Sequence, residues 1–179
     1  MGRRTQPSMR ELSRLINAWD EVESNPDQVS KAMEGAVNKY PDFAPGWGHL
    51  GLAYMQSGRA KDAERALLKA VSLEPQSPGW YLALSTLYKL AVANTRGLVG
   101  WVERIRMLAE TGVELSPECT SVLPDYVSKI TLGALDCDYD YARRMAERYA
   151  KDVLNLTKDK EFTSSAVNNL LDIQMMDEI

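Results

Sequence analysis

The chain has 179 residues, 45% of them hydrophobic and 26% charged, with a formal net charge of -4 and a pI near 5.1. That is long enough to bury one substantial core, so the expectation is a single domain over residues 1–179, neither disordered nor membrane-spanning. The acidic balance argues against nucleic acid as a partner, because neutralising phosphates takes a clustered basic face.

At the N-terminus Arg3, Arg4 and Arg10 lead into no apolar stretch, because Arg14, Asp20, Glu21 and Glu23 interrupt it. No secretory signal is expected, and Gln6 stands where a myristoylation sequence wants Ser or Thr, so the expected compartment is the cytoplasm. Without a signal, Asn155-Leu156-Thr157 is a chance match to the glycosylation pattern. Cys119, Cys137 and the lone His49 cannot make a four-ligand zinc site or a disulfide framework, and no metal or cofactor is expected.

In chain order, Ser8 and Glu11 have the spacing of a capping box and predict a helix over about 8–23. Asn25 followed by Pro26 at the first turn predicts a second helix, to Lys39. From Ala44 the pattern is clearest: Trp47, Leu50, Gly51 and Tyr54 recur at helical spacing. Past the turn at Ser57-Gly58, Ala63, Leu67 and Ala70 form a second stripe, which Pro75 ends. Two such helices joined by a short turn make an antiparallel hairpin.

Trp47, Leu50, Gly51, Tyr54, Ala63, Leu67, Ala70 and Pro75 together resemble the tetratricopeptide repeat, a unit of 34 residues. Each residue type has a physical reason there: Gly51 and Ala63 let two helix backbones approach, while Trp47, Tyr54 and Leu67 fill the space between hairpins. The resemblance implies an all-α fold, a right-handed stack of helical hairpins closed by a C-terminal capping helix. One repeat back, over about 10–43, Pro41, Ala36 and Met33 stand in phase and Ile16 takes the place of Leu50. One repeat on, over about 78–119, Leu84 and Tyr88 are in phase, with Trp80 one place early.

The third hairpin is enlarged, because its closing proline is Pro117 and its turn, at Asn94 to Gly97, comes late. Its second helix begins at Trp101, which the reading leaves exposed for self-association. A divergent fourth hairpin follows over about 120–158, with Leu123, Tyr126, Val127, Ile130 and Ala134 on one face and Ala142, Met145, Tyr149 and Val153 on the next. A final helix over about 162–177 carries Val167, Leu170, Leu171 and Gln174 or Met175 on a single apolar face. It is expected to cap the stack, since a terminal repeat exposes an apolar face with no neighbour.

Chemistry has few candidates. His49 alone titrates near neutrality, with no nucleophile motif around it, and reads more simply as a groove-lining side chain, so no catalytic residue is expected. Asp136, Asp138 and Asp140 alternate like the opening of a calcium loop, but no Gly follows at the sixth place; acidic residues at the start of the next helix explain them more simply.

The resemblance implies that the first helix of each repeat lines a groove. Its positions are Arg14, Leu15 and Ala18, with Val22, in the first repeat; His49, Leu52 and Met55, with Gly48 and Gln56, in the second; and Leu82, Ala83, Thr86 and Lys89, with Leu90, in the third. Family members that hold a partner's C-terminal carboxylate use Lys, Asn, Asn, Lys and Arg where this chain has Arg14, Ala18, His49, Gly79 and Ala83, so that mode is not expected. The mostly apolar lining suits a partner helix or an apolar peptide. The expected function is therefore a protein-binding adaptor or scaffold. Its alternatives are a homodimer-forming structural module built on the long third hairpin, a client-sequestering chaperone, or occupation of the groove by the chain's own last helix.

Overall fold

The computed structural model describes residues 6–22, 24–92 and 139–177. These residues are all-helical, with neighbouring helices packed on one another: α1 is Met9–Trp19, α2 Pro26–Lys39, α3 Ala44–Gln56 and α4 Ala60–Leu73. Next, α5 runs over 78–92, α6 is Tyr139–Leu156 and α7 Lys160–Asp177. The expected turn at 94–97, Trp101, both cysteines, Asp136, Asp138 and the first arm of the fourth hairpin lie outside the described residues.

The capping box forms: the Ser8 N–H donates to the Glu11 carboxylate at 2.8 Å, and the Glu11 N–H to Ser8 Oγ at 3.4 Å. Glu11 also accepts from Lys39 Nζ at 2.6 Å and Tyr40 Oη at 3.0 Å, so one carboxylate ties the start of α1 to the end of α2. Helix α1 ends at Trp19, four residues short of expectation. Its last carbonyls are taken up by tighter bonds, from Glu21 N–H to Ala18 O and from Val22 N–H to Trp19 O, and the turn delivers the chain to Pro26. Asn25 does not cap α2 with its side chain, whose amide donates instead to Gln28 at 2.7 Å.

The α3–α4 hairpin turns as its sequence directs. Gly58 takes φ 71°, and the Arg59 and Gly58 N–H groups return to the Tyr54 and Met55 carbonyls at 2.8 and 3.1 Å, the two bonds of a glycine-terminated helix. The backbones approach closely at Gly51, where a Cβ would come within 2.6 Å of the fully buried Leu67 and 3.2 Å of the Ala63 carbonyl.

Local geometry recurs at the 34-residue offset. Helices α2 and α4 are both 14 residues long and begin and end 34 positions apart. The residues that cap their C-termini, Tyr40 and Glu74, share one backbone conformation, φ −129°, ψ 73° and φ −130°, ψ 73°. Trp47 Nε1 donates to the Pro41 carbonyl at 2.8 Å, and Tyr81 Oη to the Pro75 carbonyl at 3.1 Å. Tyr81 thus takes the place of Trp47 and releases the displaced Trp80 for another contact. The tyrosines Tyr54 and Tyr88 are also in phase, but their acceptors are not: Tyr54 Oη donates to Glu34 at 2.6 Å and Tyr88 Oη to Glu64, four residues short of the repeat offset. The core runs through these helices, with Val29, Met33, Leu50, Leu67, Leu84 and Tyr88 at its centre. Ile16, the counterpart of the buried Leu50, is 62% exposed.

Ser85, fully buried on α5, is the point where three helices meet. Its hydroxyl donates to the Ala146 carbonyl of α6 at 3.0 Å and accepts from the Asn169 amide of α7 at 3.2 Å. Tyr149 of α6 stacks on Tyr88 of α5 at 5.9 Å. Ala142, Tyr149 and Val153 are buried as the α6 stripe anticipates, with Met145 packed against the core. Asp140 lies in the first turn of α6, where the helix dipole favours it. Helix α7 is rotated relative to expectation. Its inward face carries Ala166, Asn169 and Ile173, with the expected Leu170 half-buried against the smaller cluster, whereas Val167, Leu171 and Met175 are 43%, 50% and 63% exposed. Hydrophobicity alone misplaces this face because a buried asparagine that satisfies two hydroxyls outcompetes a leucine there.

Candidate functional site

Helices α1, α3 and α5 each contribute a ring to one row. Trp19 meets His49 edge-on at 4.7 Å, and His49 meets Trp80 edge-on at 5.7 Å. The imidazole is held in place because Nδ1–H donates to the Pro45 carbonyl at 2.7 Å, one turn back on α3; a carbonyl only accepts, so Nδ1 carries the proton. Trp80 can reach the row because Gly48 has no side chain: a Cβ there would run into the indole ring.

Beside Trp19 the row borders a cavity of about 400 Å³ between α1 and the corner where α2 passes into α3. Helix α1 supplies Leu12, Leu15, Ile16 and Trp19 to its wall, and α2 supplies Met33. Phe43, Pro45, Gly46 and His49 close the other side. Among the described residues, no carboxylate, ammonium or guanidinium lines it. The Phe43 ring is seated on Gly46, where a Cβ would approach it to 2.7 Å. The wall can stay open because α1 buries none of its own residues and is tied at its first turn by Glu11.

The expected groove residues separate into three groups. Leu15 and His49 line the cavity, with Ala18 half-buried on the same helix as Leu15 and Arg14 exposed to solvent. Leu52 and Met55 are half-buried against the core, and Leu82 against a smaller cluster that includes Val153 and Ala166. At the far end α7 lies over α5: Asn169 donates to Thr86 Oγ1 at 3.2 Å, and Lys89 pairs with Asp172 at 2.8 Å. Thr86 and Lys89 are therefore engaged by the chain's own last helix. Ala83, only 7% exposed, belongs to the core and offers a partner little surface, contrary to expectation. Leu90 is exposed, and Trp101 lies outside the described residues.

Sequence reasoning missed Leu12, Ile16, Trp19, Phe43 and Pro45 as site residues. Their signal was present in the spacing of Leu12, Leu15, Ile16 and Trp19, which share one face of α1. That face reads as core until the structure leaves Ile16 uncovered. Among the described residues, no helix is long and apolar enough to cross a membrane, and no cluster of three metal-ligating side chains occurs. Over Tyr139–Leu156 the chain is helical, and Glu147 pairs with Arg143 and Lys151 along this helix. No protein-family model, curated protein or solved structure matches this chain.

Proposed function

We propose that this chain is a protein-binding adaptor or scaffold of tetratricopeptide-repeat type, taking a partner's helix or apolar peptide along the face formed by α1 and α3. The observation that carries the reading is the Trp19–His49–Trp80 row leading into an apolar cavity that α7 does not cover. The recurrence of helix bounds, cap conformations and tryptophan or tyrosine bonds at 34-residue spacing supports the repeat assignment, and α7 acts as the capping helix. The chain works without catalysing a reaction, in the cytoplasm, and needs no cofactor.

The test is affinity capture from native lysate with the wild type, a Met55→Glu, Ile16→Glu variant and a Leu68→Glu control. Leu68 is an exposed leucine on α4, away from the row. A partner retained by the control and lost by the double variant, with equal helicity by circular dichroism, supports the groove. A partner held equally by all three, or none at all, removes it.

A second reading, self-association, has its own observation: Val167, Leu171 and Met175 recur every four residues on the outer side of α7, all exposed. It expects a concentration-dependent mass that Leu171→Glu abolishes. A monomeric mass for the wild type at high concentration ends it.

A further inference from the structure

We infer that the cavity between α1 and the α2–α3 corner is a binding site for a free, uncharged aromatic molecule of about two rings, independent of any peptide taken along the groove. Its size sets the ligand class first. Apolar cavities of about 150 Å³ stay dry and take up a single benzene ring. This one, at about 400 Å³, is more than twice as large and falls within the range of small-molecule sites.

The wall sets the chemistry. Three rings, those of Trp19, Phe43 and His49, face the space together with the Met33 side chain. Rings prefer offset or edge-on partners and thioethers favour ring edges, so an aromatic ligand gains contacts here that an aliphatic one of equal area does not. Among the described residues no charged side chain lines the space, and the Glu11 carboxylate on α1 is already engaged by Lys39, Ser8 and Tyr40. A charged ligand would lose its hydration without a counter-charge. Entry is open past Ile16, at 62% exposure the least covered residue of the wall.

The probe is indole, titrated into the full chain and followed by calorimetry and by the imidazole proton signals of His49. Saturable binding tighter than about 1 mM is expected, with indole-3-acetate at least tenfold weaker because its carboxylate finds no partner. Leu15→Trp, which puts a second indole into the space, is expected to keep wild-type helicity and lose indole binding. Should that variant not fold, Leu12→Phe fills the same wall with a smaller increment and carries the same expectation.

Absence of saturable binding, or binding unchanged in the filled variant, overturns the inference. So does equal affinity for indole and indole-3-acetate. Tighter binding of N-acetyl-tryptophanamide than of indole would assign the cavity to a ring carried on a partner's chain, overturning the free-ligand assignment while leaving the groove reading intact.

Discussion

Two glycine-to-alanine substitutions measure how closely α3 and α4 approach. Gly35 lies in α2 with nothing within 4 Å of a Cβ built on it, so Gly35→Ala should collect the helix-propensity gain alone, about 1 kcal/mol. Gly51→Ala earns the same gain but drives its methyl to 2.6 Å from Leu67 Cγ, and Leu67 is fully buried and has no free space to retreat into. Overpacking of that kind costs about 1–3 kcal/mol, so the net effect at Gly51 runs from neutral to about 2 kcal/mol destabilising. The difference between the variants isolates the contact at about 1–3 kcal/mol. For a chain of this size it separates their melting temperatures by about 2–4 °C per kcal/mol. Urea unfolding at matched m-values is the assay, since an altered m would signal a changed reference state. If Gly51→Ala stabilised the protein as much as Gly35→Ala, the hairpin would not be packed as described and the positions of His49 and Trp80 would lose their support.

Three further outcomes follow from the hydrogen-bond networks. Asn169→Ala removes both amide bonds from α7 to α5, which should cost about 1–3 kcal/mol and raise hydrogen exchange across 160–177 well before 60–73; uniform loss of protection would refute the latch. Lys39 and the Ser8 groups hold the Glu11 carboxyl well below the usual carboxylate range. Because its folded-state value is depressed, the tie from α1 to α2 is present above the ordinary carboxylate pKa and lost only as pH falls through the depressed one. Amide signals of α1 should therefore persist below pH 4 in the wild type, and Glu11→Gln should remove that resistance. At the alkaline end, burial and then the Glu34 bond push Tyr54 up to about 12, and burial followed by Glu64 raises Tyr88. Raised values favour the folded state until pH reaches the unfolded tyrosine pKa near 10, and that contribution falls away as pH climbs from there through the folded value. Ultraviolet titration should thus find these two phenols ionising after the exposed ones; simultaneous ionisation of all tyrosines near pH 10 in the folded protein would contradict the burial.

How much of this was legible in the sequence depended on whether one residue's neighbours lay within its own hairpin. The Ser8–Glu11 box, the Gly58 turn and the Gly51 contact were readable because their partners sit a few to sixteen residues away and each type has a narrow structural meaning. The bounds of α2 were readable for the same reason, with Pro26 at its start. The end of α1 was not, because what stops it is bonding within the turn itself and not any breaker residue. The orientation of α7 was illegible for a different reason: the pair that decides it, Ser85 and Asn169, is separated by 84 positions and is polar, so hydrophobic periodicity pointed to the wrong side. The cavity was hidden by a degeneracy of pattern, since a stripe of Leu12, Leu15, Ile16 and Trp19 looks the same whether it is covered or open.

The two ends of the proposed groove differ in the kind of contact they make, and this decides where a ligand can enter. At α5 the face is closed by directional bonds: Asn169 satisfies two hydroxyls, one of them fully buried, and Lys89 meets Asp172. The ion pair itself adds little, because Asp172 is about half exposed and such pairs contribute on the order of 0–1 kcal/mol. The buried amide is what resists displacement, since a competitor lacking a donor in the same place leaves the Ser85 environment unsatisfied. An apolar helix is therefore a poor substitute for α7. At α1 and α3 the reverse holds: the described wall is almost wholly apolar, and a ring that fits gains both by leaving water and by its contacts with Trp19, Phe43 and Met33. Selectivity at that end has to come from shape, from ring contacts and from the absence of charge among the described lining residues, and exclusion of charged ligands is its sharpest measurable consequence.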